Sequence, residues 1–156
     1  MSIVHVVRHA KAKNREEWTE PDELRPLTKR GRRQAAGLAE RLQSEQPARL
    51  VSSPYLRCVQ TLDDLARALD LPIETTELLA EGADGASALD LVLSLGRSET
   101  VVCCTHGDVL FELMHQVAAA GVTLDGPRDA PVASTWALEV VEDQVVGARF
   151  VERPAT

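Results

Sequence analysis

The 156 residues are 44% hydrophobic and 26% charged, which suits one globular domain spanning 1–156 and excludes a disordered chain. No run approaches the roughly 18 uninterrupted apolar residues of a membrane span, and Arg8, His9, Lys11 and Lys13 interrupt the place of a secretory apolar segment. A formal charge of −7 argues against a nucleic-acid partner, and three cysteines without metal-ligand spacing fit a reduced, cytoplasmic protein better than a disulfide scaffold.

In chain order, the β-branched run Ile3–Arg8 predicts a buried strand that ends on charged residues. Residues 10–27, polar and carrying Pro21 and Pro26, read as a long loop, the kind more often functional than idle. Thr28 caps a helix reaching about Ser44, with Ala35, Leu38, Ala39 and Leu42 on its inner face. Arg49–Ser53 is a second strand, and Ser53-Pro54 then predicts a helix start, Ser as cap and Pro at the first helical position. Ile73–Glu77 is a weaker third strand. Gly82 and Gly85 mark a loop, and Ser87 with Asp90 opens a helix. Thr100–Thr105 is apolar throughout, as expected of a strand covered on both faces, and a helix follows His106-Gly107-Asp108. Ser134–Val141 and Gln144–Val151 form a hairpin about Glu142-Asp143. This alternation predicts an α/β/α sandwich with a largely parallel central sheet and a C-terminal β-hairpin.

Three segments share a layout in which a strand ends on a reactive or cationic group: Arg8-His9-Ala10, Ser52 to Arg57, and Thr105-His106-Gly107-Asp108. Ligands of open α/β sheets gather at the carboxyl ends of strands, so these segments are candidates to converge. Two imidazoles and two guanidiniums around one point suit a phosphoryl group, because the guanidinium fork matches phosphate oxygens. Helix N-termini after Ser53 and His106 would aim free N–H groups at the same anion. Charge distribution agrees: residues 1–67 hold 13 Lys/Arg against 9 Asp/Glu, while residues 68–156 hold 4 against 15. Lys11, Lys13 and Arg15 read as a solvated loop face able to steer an anion.

The ordered set R-H-A, S-S-P-Y-L-R-C-x-Q-T and T-H-G-D resembles the histidine phosphatase superfamily, the phosphoglycerate-mutase-like group. The length, the Lys after R-H-A and Arg25-Pro26-Leu27 before a helix look nearest to small SixA-type phosphohistidine phosphatases. The stretch is also similar to the phosphatase module fused behind some Nudix hydrolases, although these 156 residues contain no Nudix counterpart. The resemblance implies His9 as the nucleophile that becomes phosphohistidine. It implies Arg8 and Arg57 as phosphoryl clamps, His106 as a donor to a phosphoryl oxygen, and no cofactor or metal. Ser53 and Gly107 join the phosphate-binding set, and like charge from the two arginines is expected to keep His9 unprotonated. Leu79-Ala80-Glu81 matches the family's proton donor, with Glu77 the runner-up, but the W-E-G continuation of many mutases is replaced by Gly82-Ala83-Asp84-Gly85. Asn14 falls one position from a family substrate contact and has little weight.

The expected activity is a metal-independent phosphatase acting on a phosphorylated small molecule or a phosphohistidine protein. Three alternatives stand beside it. One is a mutase-type phosphotransferase, and another is a non-catalytic phosphate-binding module. The third is a metallohydrolase built on His5, His9, His106 and Asp108.

Overall fold

The computed structural model describes residues 1–156. Four strands, β1 (Ser2–Arg8), β2 (Arg49–Ser52), β3 (Ile73–Thr75) and β4 (Val101–Thr105), pair in parallel. Strands β5 (Thr135–Val141) and β6 (Gln144–Val151) add an antiparallel hairpin at one side, giving the order β3-β2-β4-β1-β5-β6. The hairpin turns on Glu142 and Asp143, both at positive φ (49° and 62°), the backbone twist that a two-residue connection favours.

Alternation along the central strands divides the core in two. Val4 and Val6 of β1, Val51 of β2, and Val101 and Cys103 of β4 face α3 (Gly85–Leu95) and α4 (Gly107–Ala119), where they meet Val92, Leu110, Leu113 and Met114. Val7, Leu50, Val102 and Cys104 face the other way, onto α1 (Lys29–Gln43) and α2 (Leu56–Leu69), against Leu38, Leu42, Leu62 and Leu65. The expected α/β/α sandwich is therefore present. β4 is buried at every residue because it lies mid-sheet, covered on both faces.

Thr28 caps α1 by accepting the Gly31 N–H, and Ala35, Leu38, Ala39 and Leu42 form its buried face as predicted. Gly31 is required there: a Cβ would stand 2.0 Å from the Lys11 carbonyl oxygen. Its bareness lets the helix start clasp the beginning of the long loop, where the Thr28 N–H also donates to Lys11 O at 3.0 Å.

Several boundaries differ from the sequence reading. Ser53 does not open α2; the helix begins at Leu56 after Tyr55, and Pro54 lies in a bend. The Ser53 N–H instead continues the sheet, donating to Cys104 O at 3.0 Å. α3 begins at Gly85 rather than Ser87, because the Asp84 carboxylate accepts both the Ser87 N–H (3.1 Å) and its hydroxyl (3.0 Å). β3 stops at Thr75, and Glu77 sits on a 3-10 turn, Glu77–Leu79. The loop 10–27 holds two more such turns, Arg15–Glu17 and Asp22–Leu24, and an isolated bridge between Ala12 and Leu27.

Candidate active site

The parallel ladder sets the core of the site. Arg8 is paired with Thr105 and Ser52 with Cys104, so the next residues of β1, β4 and β2 emerge side by side. Those residues are His9, His106 and Ser53. The first and last of these extend the ladder, the His9 N–H donating to Thr105 O and the Ser53 N–H to Cys104 O, each at 3.0 Å. The two imidazoles meet edge to face with ring centroids 5.4 Å apart.

The His9 Nδ1 lies 2.8 Å from the Ala10 carbonyl oxygen. A carbonyl only accepts, so Nδ1 carries the hydrogen and Nε2 is left with a free lone pair. Ala10 is itself fixed, its N–H donating to Thr61 Oγ1 at 3.0 Å. The His9 pKa is lowered to about 3. Burial is the main cause, opposed by the Ala10 hydrogen bond; the charges of His106, Arg57 and Arg8 add smaller reductions. The sequence reading credited the arginines; desolvation outweighs them.

Arg8 donates from Nη1 to Ala130 O at 2.6 Å. Its guanidinium lies against the first residue of α4, where a Cβ on Gly107 would come within 2.7 Å of Arg8 Cζ. Glycine thus lets the cation press on a helix N-terminus that no side chain caps. Arg57, fully buried in the first turn of α2, stands in a net of acceptors: Nη1 donates to Asp22 O (2.9 Å), and Nη2 to Asp22 Oδ2 (3.0 Å) and Glu81 Oε1 (3.4 Å). Tyr55 lies under it, 4.9 Å from ring centroid to Cζ. Asp22 also accepts from Arg25 Nε at 2.9 Å. Burial works against ionising Asp22, but the contacts to Arg25 and Arg57 outweigh it and hold the carboxyl below its usual value.

Above these groups opens a pocket of about 890 Å³, lined among others by Arg8, His9, Lys11, Arg15, Arg25 and Glu81. Ser53, Arg57 and His106 are at most 1% exposed and do not line the open space; they lie behind it. Ser53 Oγ is 2.8 Å from His106 Nε2 and accepts the Tyr55 N–H at 3.2 Å, so it faces the second histidine and not the pocket. Three buried nitrogens of the cluster have no partner within the protein: Arg8 Nε, Arg57 Nε and His106 Nδ1. Acceptor-only phosphoryl oxygens match the two arginine N–H groups, and His106 Nδ1 as well in the tautomer that places its hydrogen there.

The remaining sequence candidates separate cleanly. Glu81 lines the pocket and accepts from Arg15 Nη2 at 2.8 Å, whereas Glu77 is absent from its lining. Lys11 and Arg15 line it too; Lys13 and Asn14 line a neighbouring groove beside Trp18. The ligand set of the metallohydrolase alternative does not assemble: His5 lines a different cavity with Glu45, Thr135 and Arg149. No group of three or more His, Cys, Asp or Glu side chains is spaced to hold a metal. Sequence reasoning missed Asp22, Arg25 and Tyr55. Arg25 and Tyr55 stand inside the motifs quoted for the resemblance but were given no role of their own, and for Asp22 the available signal was the density of charge in the long loop.

Residues 4–88 match the family model described as histidine phosphatase superfamily (branch 1). The chain is 35% identical over 158 residues to an 8-oxo-(d)GTP phosphatase of Mycolicibacterium smegmatis, covering 97% of this chain but 48% of that protein. It thus spans about half the length of that curated relative. Among solved structures, it resembles the protein histidine phosphatase SixA complexed with tungstate, with a TM-score of 0.75 at 20% identity, covering 98% of this chain and 96% of that one. A mycobacterial glucosyl-3-phosphoglycerate phosphatase complexed with VO3 has a TM-score of 0.72 at 20% identity, with both chains fully covered. At these identities the structures establish a shared fold. No helix is long and apolar enough to cross a membrane.

Proposed function

The chain belongs to the histidine phosphatase superfamily, and from that membership we propose that it is a metal-independent phosphatase working through a covalent phosphohistidine on His9. One observation supports this most directly: His9 gives its only ring hydrogen to Ala10 O, so Nε2 is a free base among cations at the edge of an open pocket. In the first step the Nε2 lone pair forms a bond to phosphorus while the bond from phosphorus to the leaving group breaks. Arg8, Arg57 and His106 offer donors to the phosphoryl oxygens as charge redistributes. Glu81, at the pocket wall, supplies a proton to an oxygen leaving group. Water then attacks phosphorus and the N–P bond breaks. Its proton passes to Glu81, inorganic phosphate departs and His9 is restored. Ser53 serves this set from behind, and Gly107 contributes its bare backbone.

Two substrate classes fit: a phosphorylated small molecule, and a phosphohistidine on a protein, whose labile P–N bond makes less demand on an acid. The relatives include an 8-oxo-(d)GTP phosphatase and a protein histidine phosphatase, one for each class. Wild type and His9→Ala, assayed with EDTA on p-nitrophenyl phosphate, nucleotides, sugar phosphates and a phosphohistidine protein, test the reading. Wild type is expected to hydrolyse at least one substrate and to yield an acid-labile, alkali-stable phosphoenzyme, and His9→Ala none. Full activity in His9→Ala, or complete loss of wild-type activity with EDTA, refutes it.

A further inference from the structure

The catalytic pair is not symmetric. A backbone carbonyl fixes which nitrogen of His9 carries hydrogen, whereas His106 meets no backbone group through its ring. Its Nε2 is 2.8 Å from Ser53 Oγ and 3.5 Å from Cys58 Sγ, and its Nδ1 is buried without a partner. A neutral imidazole has one hydrogen to place. On Nε2 it would leave Nδ1 as a buried lone pair, able only to repel a phosphoryl oxygen. On Nδ1 it makes His106 a donor to that oxygen. The protein must therefore select between two tautomers that differ in usefulness, and the selecting group is whatever contacts Nε2.

We propose that Ser53 is the positioning residue that holds His106 in its Nδ1–H tautomer by donating its hydroxyl hydrogen to Nε2. The hydrogen-bond accounting favours that direction. One lone pair of Ser53 Oγ already accepts the Tyr55 N–H at 3.2 Å, and of the two acceptors its one hydrogen can reach, Cys58 Sγ and His106 Nε2, the imidazole nitrogen at 2.8 Å is the stronger. Cys58 stands farther away and its S–H is the weaker donor. The geometry also explains the local chain path. Pro54 and Tyr55 form a bend before α2, so the hydroxyl is turned to the histidine and not to the helix as an N-cap. Ser53 and His106 are at most 1% exposed, so water does not compete for the contact.

This inference rests on the phosphatase reading for its consequence but not for its test. Nitrogen NMR of the ¹⁵N-labelled histidine rings reports the tautomer of His106 directly, in the full chain without substrate. Wild type is expected to show the Nδ1–H form. Ser53→Ala, which removes only the hydroxyl, should shift His106 toward the Nε2–H form and lower kcat by about 10–100-fold with KM changed much less, the scale of a lost outer hydrogen bond. Ser53→Thr should restore both, and Cys58→Ala should leave the tautomer in place, with thermal melts verifying that each variant is folded. An Nε2–H ring in wild type, or a folded Ser53→Ala with unchanged tautomer and kcat, overturns the proposal. So does a tautomer that responds to Cys58→Ala and not to Ser53→Ala. If His9→Ala stays active while the Ser53 tautomer effect holds, the phosphatase mechanism fails and this inference stands.

Discussion

The two sides of the pocket are built by different physics. His9, Ser53 and His106 follow directly on β1, β2 and β4; ladder hydrogen bonds pin the His9 and Ser53 backbones, and the His106 carbonyl starts α4 by accepting the Leu110 N–H. Facing them, the loop from Ala10 to Leu27 has two short 3-10 turns, its two ends joined by the Ala12–Leu27 bridge, and its outer stretch is tied down by charge: Asp22 to Arg25 and Arg57, and Arg15 to Glu81. A ladder places a residue whatever its side chain, so strand-end groups tolerate changes around them. A charge-tied loop depends on each partner, and salt weakens the exposed pairs.

Forcing the rigid side to move sharpens this contrast most. Gly107→Ala introduces a methyl group where the Arg8 guanidinium rests. The guanidinium ends a flexible side chain, so it yields and the fold does not. We expect activity to fall about 10²-fold, the scale of one lost transition-state donor, while the melting temperature barely changes. A large drop in melting temperature would mean that the contact is structural.

Breaking the loop side reverses the pattern. Asp22→Asn leaves the buried Arg57 with Glu81 as its one carboxylate partner. Removing one partner of a buried ion pair costs about 3–5 kcal/mol, reduced here because Glu81 still faces the guanidinium and the Asp22 side chain is 31% exposed. A stability loss of roughly 1–3 kcal/mol in denaturant titration, with an activity loss smaller than that of Gly107→Ala, is the expected result.

The comparison also has a pH signature. His9 in the folded protein titrates near 3, while the unfolded chain takes up its proton near 6.5. Between those values the unfolded state binds more protons, so stability declines as pH falls through that window and owes nothing to this group above it. Denaturant titrations across this range should show a shallower decline in His9→Gln. An identical slope would mean the imidazole is not held neutral. Smallest of all is Arg15→Ala. Its pair with Glu81 is exposed at the arginine end, 62%, and should contribute under about 1 kcal/mol. A modest rise in KM, fading at high salt, is the expected trace.

Legibility in the sequence follows the same division. The β-branched runs before His9 and His106 and the Thr28 cap marked β1, β4 and α1 because their signals are local and periodic. Four strand-end residues, Arg8, His9, Ser53 and His106, could be grouped from the strand pattern alone, and Arg57 from its place in the first turn of a helix. What escaped was non-local. Nothing around Asp22 distinguishes it from a surface acid, since its partner Arg57 is 35 residues away. The start of α2 escaped for a related reason: Ser53-Pro54 is a sound local cap, overridden by a histidine 53 residues later. The partner of an Arg or Ser side chain is a tertiary fact with no periodic trace.

The position of β4 has a consequence for how the molecule matures. It is the fourth of six strands in sequence yet lies between β1 and β2, which cannot touch without it. During synthesis or refolding, the first 100 residues can form helices and a β2–β3 pair, but the cup for the anion does not exist until this strand slots into the gap. Closing such distant pairings is slow compared with local ones. Return of phosphate or vanadate binding should therefore coincide with insertion of β4, making ligand capture a reporter of that one pairing step.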